Sequence, residues 1–396
     1  MQAFEFYCPT KIYFGKGAEA RVGEAVKHFG GTKVFIVYGG HSAVKSGLIA
    51  RIEQTLTDAG LEHMSFGGVQ PNPRLSHARE GVQKALAFGA DFILGVGGGS
   101  VMDTSKAIAH GVANPETDIW DFWSKKAALT KTSRLGAVLT ISAAGSETSD
   151  SAVLTDETIL QKRGLNTDYN RPAFAIMDPS LAATLPRRQV ACGVTDILMH
   201  TLERYFNPIQ GNETTMQLAE SVLRVTIANG PAVVDNPGNY DAMSEIMWCG
   251  SLSHNGLTGL GGAKGLSVHP VSFALSEKFD IIHAEALSAL WCSWARYVCK
   301  VNPENEKLFA RFARSVWDIA EPNIHKAANA GIDASEAYFK SLGMPVSIGA
   351  LSCGVQDAAG VEDLAARVSY HGTRRVGTLV SLDHEALREI FEMANH

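Results

Sequence analysis

No segment of this 396-residue chain holds the run of about 20 apolar residues that a membrane helix needs. Its first residues, MQAFEFYCPTKIYFGKG, show no basic stretch leading into an apolar core. A soluble, cytoplasmic protein with no membrane partner is therefore expected. Excess positive charge is missing too. There are 35 Lys and Arg against 41 Asp and Glu, a formal net charge of −6, so nothing attracts nucleic acid electrostatically. Cysteine is sparse. Its 6 residues form no CxxC pair, which excludes a disulfide-dense scaffold and a thioredoxin-type motif. No internal repeat or low-complexity tract is visible.

What is present is apolar sequence, 45% of the chain, enough at this length for two packed cores. In the first half, KVFIVYGG (33–40), DFILGVGGG (91–99), GAVLTIS (136–142) and PAFAIMD (172–178) read as buried strands. Helical patterns separate them, at 43–60, 77–90 and just after the glycines of the second strand. That alternation predicts a parallel sheet covered on both faces. From about residue 185 strand-like runs nearly vanish. Helical patterns follow at 187–206, 212–230, 240–259, 283–299, 302–320, 333–342 and 384–393. The stretch NGPAVVDNPGNYD (229–241) is expected to break two of them. The predicted organisation is an α/β domain over 1–184 and an all-helical domain over 185–396.

Between the second strand and its helix lies GVGGGSVMDTSKAIA (95–109), with Gly97, Gly98, Gly99 and Ser100 in succession. Glycines let backbone approach a ligand closely, and the helix start offers unpaired N–H groups to a phosphate. The spacing is not G-x-G-x-x-G, and no GKS or GKT triplet closes it. A plain strand-to-helix turn would look the same. A second pair, Gly39 and Gly40, ends the first strand at the same edge of the sheet, where open α/β sheets bind ligands. No acid ends this strand to grip a ribose 2′-hydroxyl. His41, Ser42 and Lys45 follow instead, which suits the 2′-phosphate of NADP.

In the second half, GVTDILMHTLERYF (193–206) sets Asp196 and His200 one helical turn apart. GLSVHPVSFALSEKFDIIHAEAL (265–287) carries His269 and His283, each near a helix start, with Pro270 suited to a first turn. One carboxylate and three imidazoles suit Zn²⁺ or Fe²⁺. His254 competes with these members on equal terms, and any pair of histidines can simply be surface residues.

These motifs, with PTKIYFGKG (9–17), AAGSETSDSAVLTDE (143–157), MDPSLAATLPRRQVACGVTDILMHTLERYF (177–206) and MWCGSLSHNGLTGLG (247–261), resemble the iron-containing (group III) alcohol dehydrogenase family over nearly the whole chain. The likeness is closest to its butanol dehydrogenase and NADP-dependent aldehyde reductase branch. It implies the dehydroquinate synthase-like fold of that family: a nucleotide-binding α/β domain and a helical metal-binding and substrate domain. It also implies interconversion of small primary alcohols and aldehydes with NADP (or NAD), one divalent ion (Fe²⁺ or Zn²⁺), and a homodimer.

By this resemblance Asp196, His200, His269 and His283 match the metal ligands, and the catalytic role falls to the same four. Gly97, Gly98, Gly99 and Ser100 match the pyrophosphate turn, and Asp103 a residue near the nicotinamide. Thr140 and Ser146 lie in the stretch around the cofactor. Lys162 matches a lysine that reaches it. Gly39 stands where NAD-preferring relatives often have aspartate. Two departures are visible. Phe273 replaces a histidine that many members carry four residues after the third ligand, so no proton relay transfers from there. The loop GGAKGLS (261–267) lacks the tryptophan usual in the aldehyde-reductase branch.

An apolar surrounding such as Phe273 favours a small or medium apolar aldehyde. Other readings keep the fold with glycerol dehydrogenase or sugar-phosphate cyclase chemistry, or make the chain a non-catalytic, metal-stabilised nucleotide-binding protein. A cyclase needs a basic phosphate pocket, and no Lys/Arg cluster surrounds the ligand motifs.

Overall fold

The computed structural model describes residues 1–40, 42–209 and 211–396. Its strands are β1 (Lys11–Phe14), β2 (Lys33–Tyr38), β3 (Glu62–Phe66), β4 (Phe92–Gly97), β5 (Arg134–Leu139), β6 (Ser151–Asp156), β7 (Gln161–Asn166) and β8 (Phe174–Met177). Six of them form a parallel sheet in the order β1-β8-β5-β4-β2-β3, while β6 and β7 pair antiparallel apart from it. The sheet strands read as continuous apolar runs because both faces are covered. Along β2, Val34 and Ile36 enter one core cluster and Phe35 and Val37 the other. The helices Val22–His28 and Leu48–Asp58 complete the first cluster; Leu75–Phe88 and Gly99–Ala113 complete the second.

From β2 the chain steps outward to β3 and then crosses to β4 on the other side of β2. The sheet therefore switches direction between β2 and β4. Their carboxyl ends run into Gly39–Gly40 and Gly97–Gly99, the place where such sheets bind ligands.

The chain divides into two compact units. One comprises Tyr7–Leu185 with Pro237–Asn255. The other comprises Met1–Phe6, Pro186–Asn236 and Gly256–His396. The helix Tyr240–His254, which the sequence pattern groups with the helical half, thus belongs to the α/β unit. Specific contacts hold it there. Ser142 Oγ donates to the Ile246 carbonyl at 3.0 Å, and the Ser251 hydroxyl donates to the Glu147 carboxylate. Gly145, at φ 63°, lets the Gly250 carbonyl approach so closely that a Cβ would lie 2.4 Å from it.

The second unit is helical, built from Arg187–Tyr205, Glu213–Asp235, Val268–Phe279, His283–Val301, Glu306–Trp317, Ile324–Ser341, Ala358–Ser369 and His384–Ala394. Its core is aromatic. Phe206 stacks on Phe309 with centroids 4.1 Å apart and meets Trp291, Trp294 and Phe312 edge-on or tilted.

Three local expectations change. The pattern at 43–60 is two helices, Ser42–Lys45 and Leu48–Asp58, divided at Gly47 in the left-handed region (φ 71°). Pro231 does not break its helix, which runs on to Asp235. The helix continues although an interior proline costs roughly 3 kcal/mol; beside it, Gly230 is buried so close to Tyr338 that a Cβ would lie 2.2 Å from its hydroxyl. The helix Ala358–Ser369 was not anticipated at all. Among the described residues, no helix is long and apolar enough to cross a membrane.

Candidate metal centre and nucleotide turn

The helix Arg187–Tyr205 presents Asp196, His200 and Glu203 at i, i+4 and i+7, one face of three successive turns. All three are buried. The helix Val268–Phe279 brings His269 to the same point. His200 Nε2 lies 3.6 Å and His269 Nε2 3.9 Å from Asp196 Oδ1, and the two rings are 4.3 Å apart at their centroids. Asp196, His200 and His269 each offer a ligand atom, all within 4.8 Å of one another.

His283 opens the helix His283–Val301, half-buried, its ring centroid 5.2 Å from that of His269. It borders the trio and is not among the atoms that converge. Two residues into that helix, Glu285 receives both arms of Arg188, Nε to Oε1 at 2.5 Å and Nη2 to Oε2 at 2.8 Å. This ties the start of the His283 helix to the helix that carries Asp196 and His200. Phe273 packs 5.8 Å from the His283 ring. His254, the competing histidine, sits in the α/β unit and donates from Nδ1 to the Ala144 carbonyl at 2.6 Å.

The trio suits a divalent cation. His269 Nδ1 donates to the Glu203 carboxylate at 2.6 Å, so the lone pair of the neutral ring resides on Nε2. That Nε2 is buried and has no hydrogen-bond partner among the described residues. A buried imidazole nitrogen of this kind beside a carboxylate and a second imidazole is a donor set for Zn²⁺ or Fe²⁺. Glu203 escaped the sequence reading. Its only signal was its place three residues after His200, in a stretch that otherwise reads as a solvated helix end.

In the α/β unit, Gly98 is extended at the cap of the helix Gly99–Ala113, and no side chain caps that helix. Its first N–H groups are thus available to an anion. A Cβ on Gly97 would lie 2.5 Å from Val101, and one on Gly98 would lie 2.1 Å from Ile141. Thr140 N donates to the Gly97 carbonyl at 3.1 Å. Below the turn, Asp103 accepts from Ser146 Oγ at 2.7 Å and from Val153 N at 2.9 Å. Lys106, fully buried, donates to Ser146 Oγ at 2.8 Å and to the Ser151 carbonyl at 2.7 Å.

Burial pushes the Asp103 carboxyl up, opposed by the Lys106 ammonium, and pushes Lys106 down to about 8. Ser100 and Asp103 lie on the first turns of this helix, and Ser146 is joined to both Asp103 and Lys106. Lys162, on β7, donates to Asn72 Oδ1 at 3.0 Å. Lys106 and Asn72 were not singled out from sequence. Ser42 begins the short helix after Gly40, and His41 lies outside the described residues.

Comparison with known proteins follows the same division. Residues 9–179 match the family model of the iron-containing alcohol dehydrogenases, and residues 190–394 match that of the family's C-terminal part. The chain is 33% identical to NADH-dependent butanol dehydrogenase A of Clostridium acetobutylicum, over 99% of each chain. It is 32% identical to the NADPH-dependent aldehyde reductase YqhD of Escherichia coli, over 100% of each. The crystal structure of NADH-dependent butanol dehydrogenase A from Thermotoga maritima superposes with a TM-score of 0.93 at 32% identity, covering 100% of this chain and 99% of that one.

Proposed function

The chain belongs to the iron-containing alcohol dehydrogenase family and is an alcohol/aldehyde oxidoreductase; we propose that it reduces small apolar aldehydes with NADPH, using one divalent ion held by Asp196, His200, His269 and His283. The convergence of Asp196, His200 and His269 within 4.8 Å is the observation that carries this reading. When bound, such an ion supplies Lewis-acid polarisation of a carbonyl or hydroxyl oxygen, and the dihydronicotinamide supplies hydride. Iron and zinc both suit the ligand set.

The remaining work falls to the chain. Region 1–184 carries the nucleotide through the uncapped amides after Gly98, with Gly99 and Ser100 first in that helix. Asp103, Thr140 and Ser146 hold the turn in shape, and Lys162 is fixed for a contact by Asn72. Gly39, Gly40 and Ser42 leave room, and no carboxylate, where a 2′-phosphate would sit, which supports NADP over NAD. Region 185–396 supplies the ion site and the substrate surroundings. Phe273 excludes water there and offers no proton.

The six cysteines are all free, in keeping with a reducing cytoplasm. The edge position of β1 supports pairing into a homodimer. A monodisperse monomer in solution scattering would refute the latter.

The test follows dihydronicotinamide absorbance with butanal, for wild type and His269→Ala, with metal content measured on each. Rapid loss of NADPH in wild type, faster than of NADH, with metal and activity both lost in the variant, is the expected result. A variant that keeps metal and rate would show that His269 is no ligand.

A further inference from the structure

We propose that Glu203 is the positioning residue of the metal centre, fixing the tautomer and angle of His269 and thereby setting the site's affinity for its ion. This rests on the reading of His269 as a ligand. The Glu203 side chain is completely buried. Its Oε1 accepts from His269 Nδ1 at 2.6 Å, from His269 N at 2.7 Å and from Val268 N at 2.9 Å. Its Oε2 accepts from Ser267 N. Four donors thus converge on one carboxylate.

Two of those donors are the first amides of the helix Val268–Phe279 and a third is the amide of its cap residue, Ser267, whose own side chain makes no cap bond. Both oxygens of the carboxylate are taken up as acceptors by these donors at a helix N-terminus. The N–H that His269 directs at the carboxylate is on Nδ1, which leaves Nε2 as the lone-pair atom on the side of Asp196. Turning the ring would break a charge-assisted bond inside the core.

Glu203 also lies one turn beyond His200, so a single helix supplies two ligands and aims the third. The grip has a second anchor. Ser267 Oγ accepts from Thr378 N at 3.1 Å, so the C-terminal loop holds the same cap from its other side.

The experiment measures Zn²⁺ affinity by chelator competition on full-length wild type, His269→Ala, Glu203→Ala and Glu203→Gln. It adds the visible absorption of each Co²⁺ form and thermal unfolding without metal. The expected weakening is about tenfold for Glu203→Gln, whose amide cannot serve Ser267 N–H, and toward about 100-fold for Glu203→Ala. Both variants should also change the Co²⁺ spectrum.

A merely structural Glu203 would lower the metal-free melting temperature and leave affinity and spectrum alone. If His269→Ala loses metal while both Glu203 variants bind within about twofold of wild type, the positioning role is overturned and the metal reading stands. If His269→Ala binds as wild type does, the metal reading falls and this inference with it. Should Glu203→Ala fail to fold, Glu203→Gln decides by the same criterion.

Discussion

At Gly39 an added Cβ would meet only Val101 Cγ2 and the Val69 carbonyl, both at 3.7 Å, and the backbone is outside the left-handed region. Packing and conformation therefore both permit a side chain here. That separates Gly39 from Gly98, where a Cβ would strike Ile141 at 2.1 Å. The absence of a carboxylate at position 39 is free to reflect the nucleotide. Gly39→Asp should fold as wild type does and shift the ratio of kcat/KM for NADH over NADPH upward by about tenfold or more, since like charges placed together are strongly disfavoured. Steady-state rates with both nucleotides measure this. An unchanged ratio in a folded variant would mean that the 2′-position is read elsewhere. At this scale residue type alone singled out Asp196 and His200, which the structure brings together with His269, and the three glycines, which it places at a strand-to-helix turn. The sequence was mute at Glu203 and Lys106. Their roles arise from burial and from partners 40 to 66 residues away, which no local spacing encodes.

Elements were legible where one periodicity held. Strands β2, β4, β5 and β8 stand within a few residues of their apolar runs because a doubly covered sheet demands unbroken apolar sequence. Legibility failed at Pro231 and at Gly47, where opposite outcomes followed from similar local signals. Gly47 takes the left-handed conformation that closes one helix and opens the next, whereas Pro231, exposed on its helix surface beside the buried Gly230, interrupts nothing. The pair Arg188–Glu285 shows how elements are then aimed. Its guanidinium is two-thirds exposed, so water screens the pair and its worth to stability is at most about 1 kcal/mol. Its effect is directional, since it fixes the first turn of the helix that His283 opens. Arg188→Ala should therefore leave the melting temperature of the metal-free protein nearly unchanged while weakening Zn²⁺ binding by about threefold to tenfold, below the loss expected for a direct partner of a ligand. Chelator competition beside thermal unfolding separates the two. Unaltered affinity would show that helix packing alone places His283.

For the molecule as a whole, the order of elements along the chain does not decide which unit they join. The helix Tyr240–His254 has the texture of its helical neighbours, yet Ser142, Gly145 and Glu147 take it into the α/β unit. Such membership is set by contacts between residues about 100 positions apart, so composition cannot announce it. The assignment of ligands to units does have a measurable consequence. A ligand stabilises whatever must open to release it, by about 2.7 kcal/mol at a free concentration 100 times its dissociation constant. Zn²⁺ should then slow amide exchange in the helices Arg187–Tyr205 and Val268–Phe279 by up to about 100-fold where exchange proceeds through opening of that unit. NADPH should instead protect the glycine turn, the helix Gly99–Ala113 and the segment 140–153. Hydrogen exchange read by mass spectrometry, with chelator added to reverse the first effect, resolves these segments. Protection by Zn²⁺ appearing on β2, β4 and the glycine turn would place the ion in the α/β unit and remove Asp196, His200 and His269 as its ligands. Protection confined to the two helices, lost in His269→Ala and reduced in Glu203→Ala, would tie the ion, its third ligand and the carboxylate that aims it to one cooperative unit.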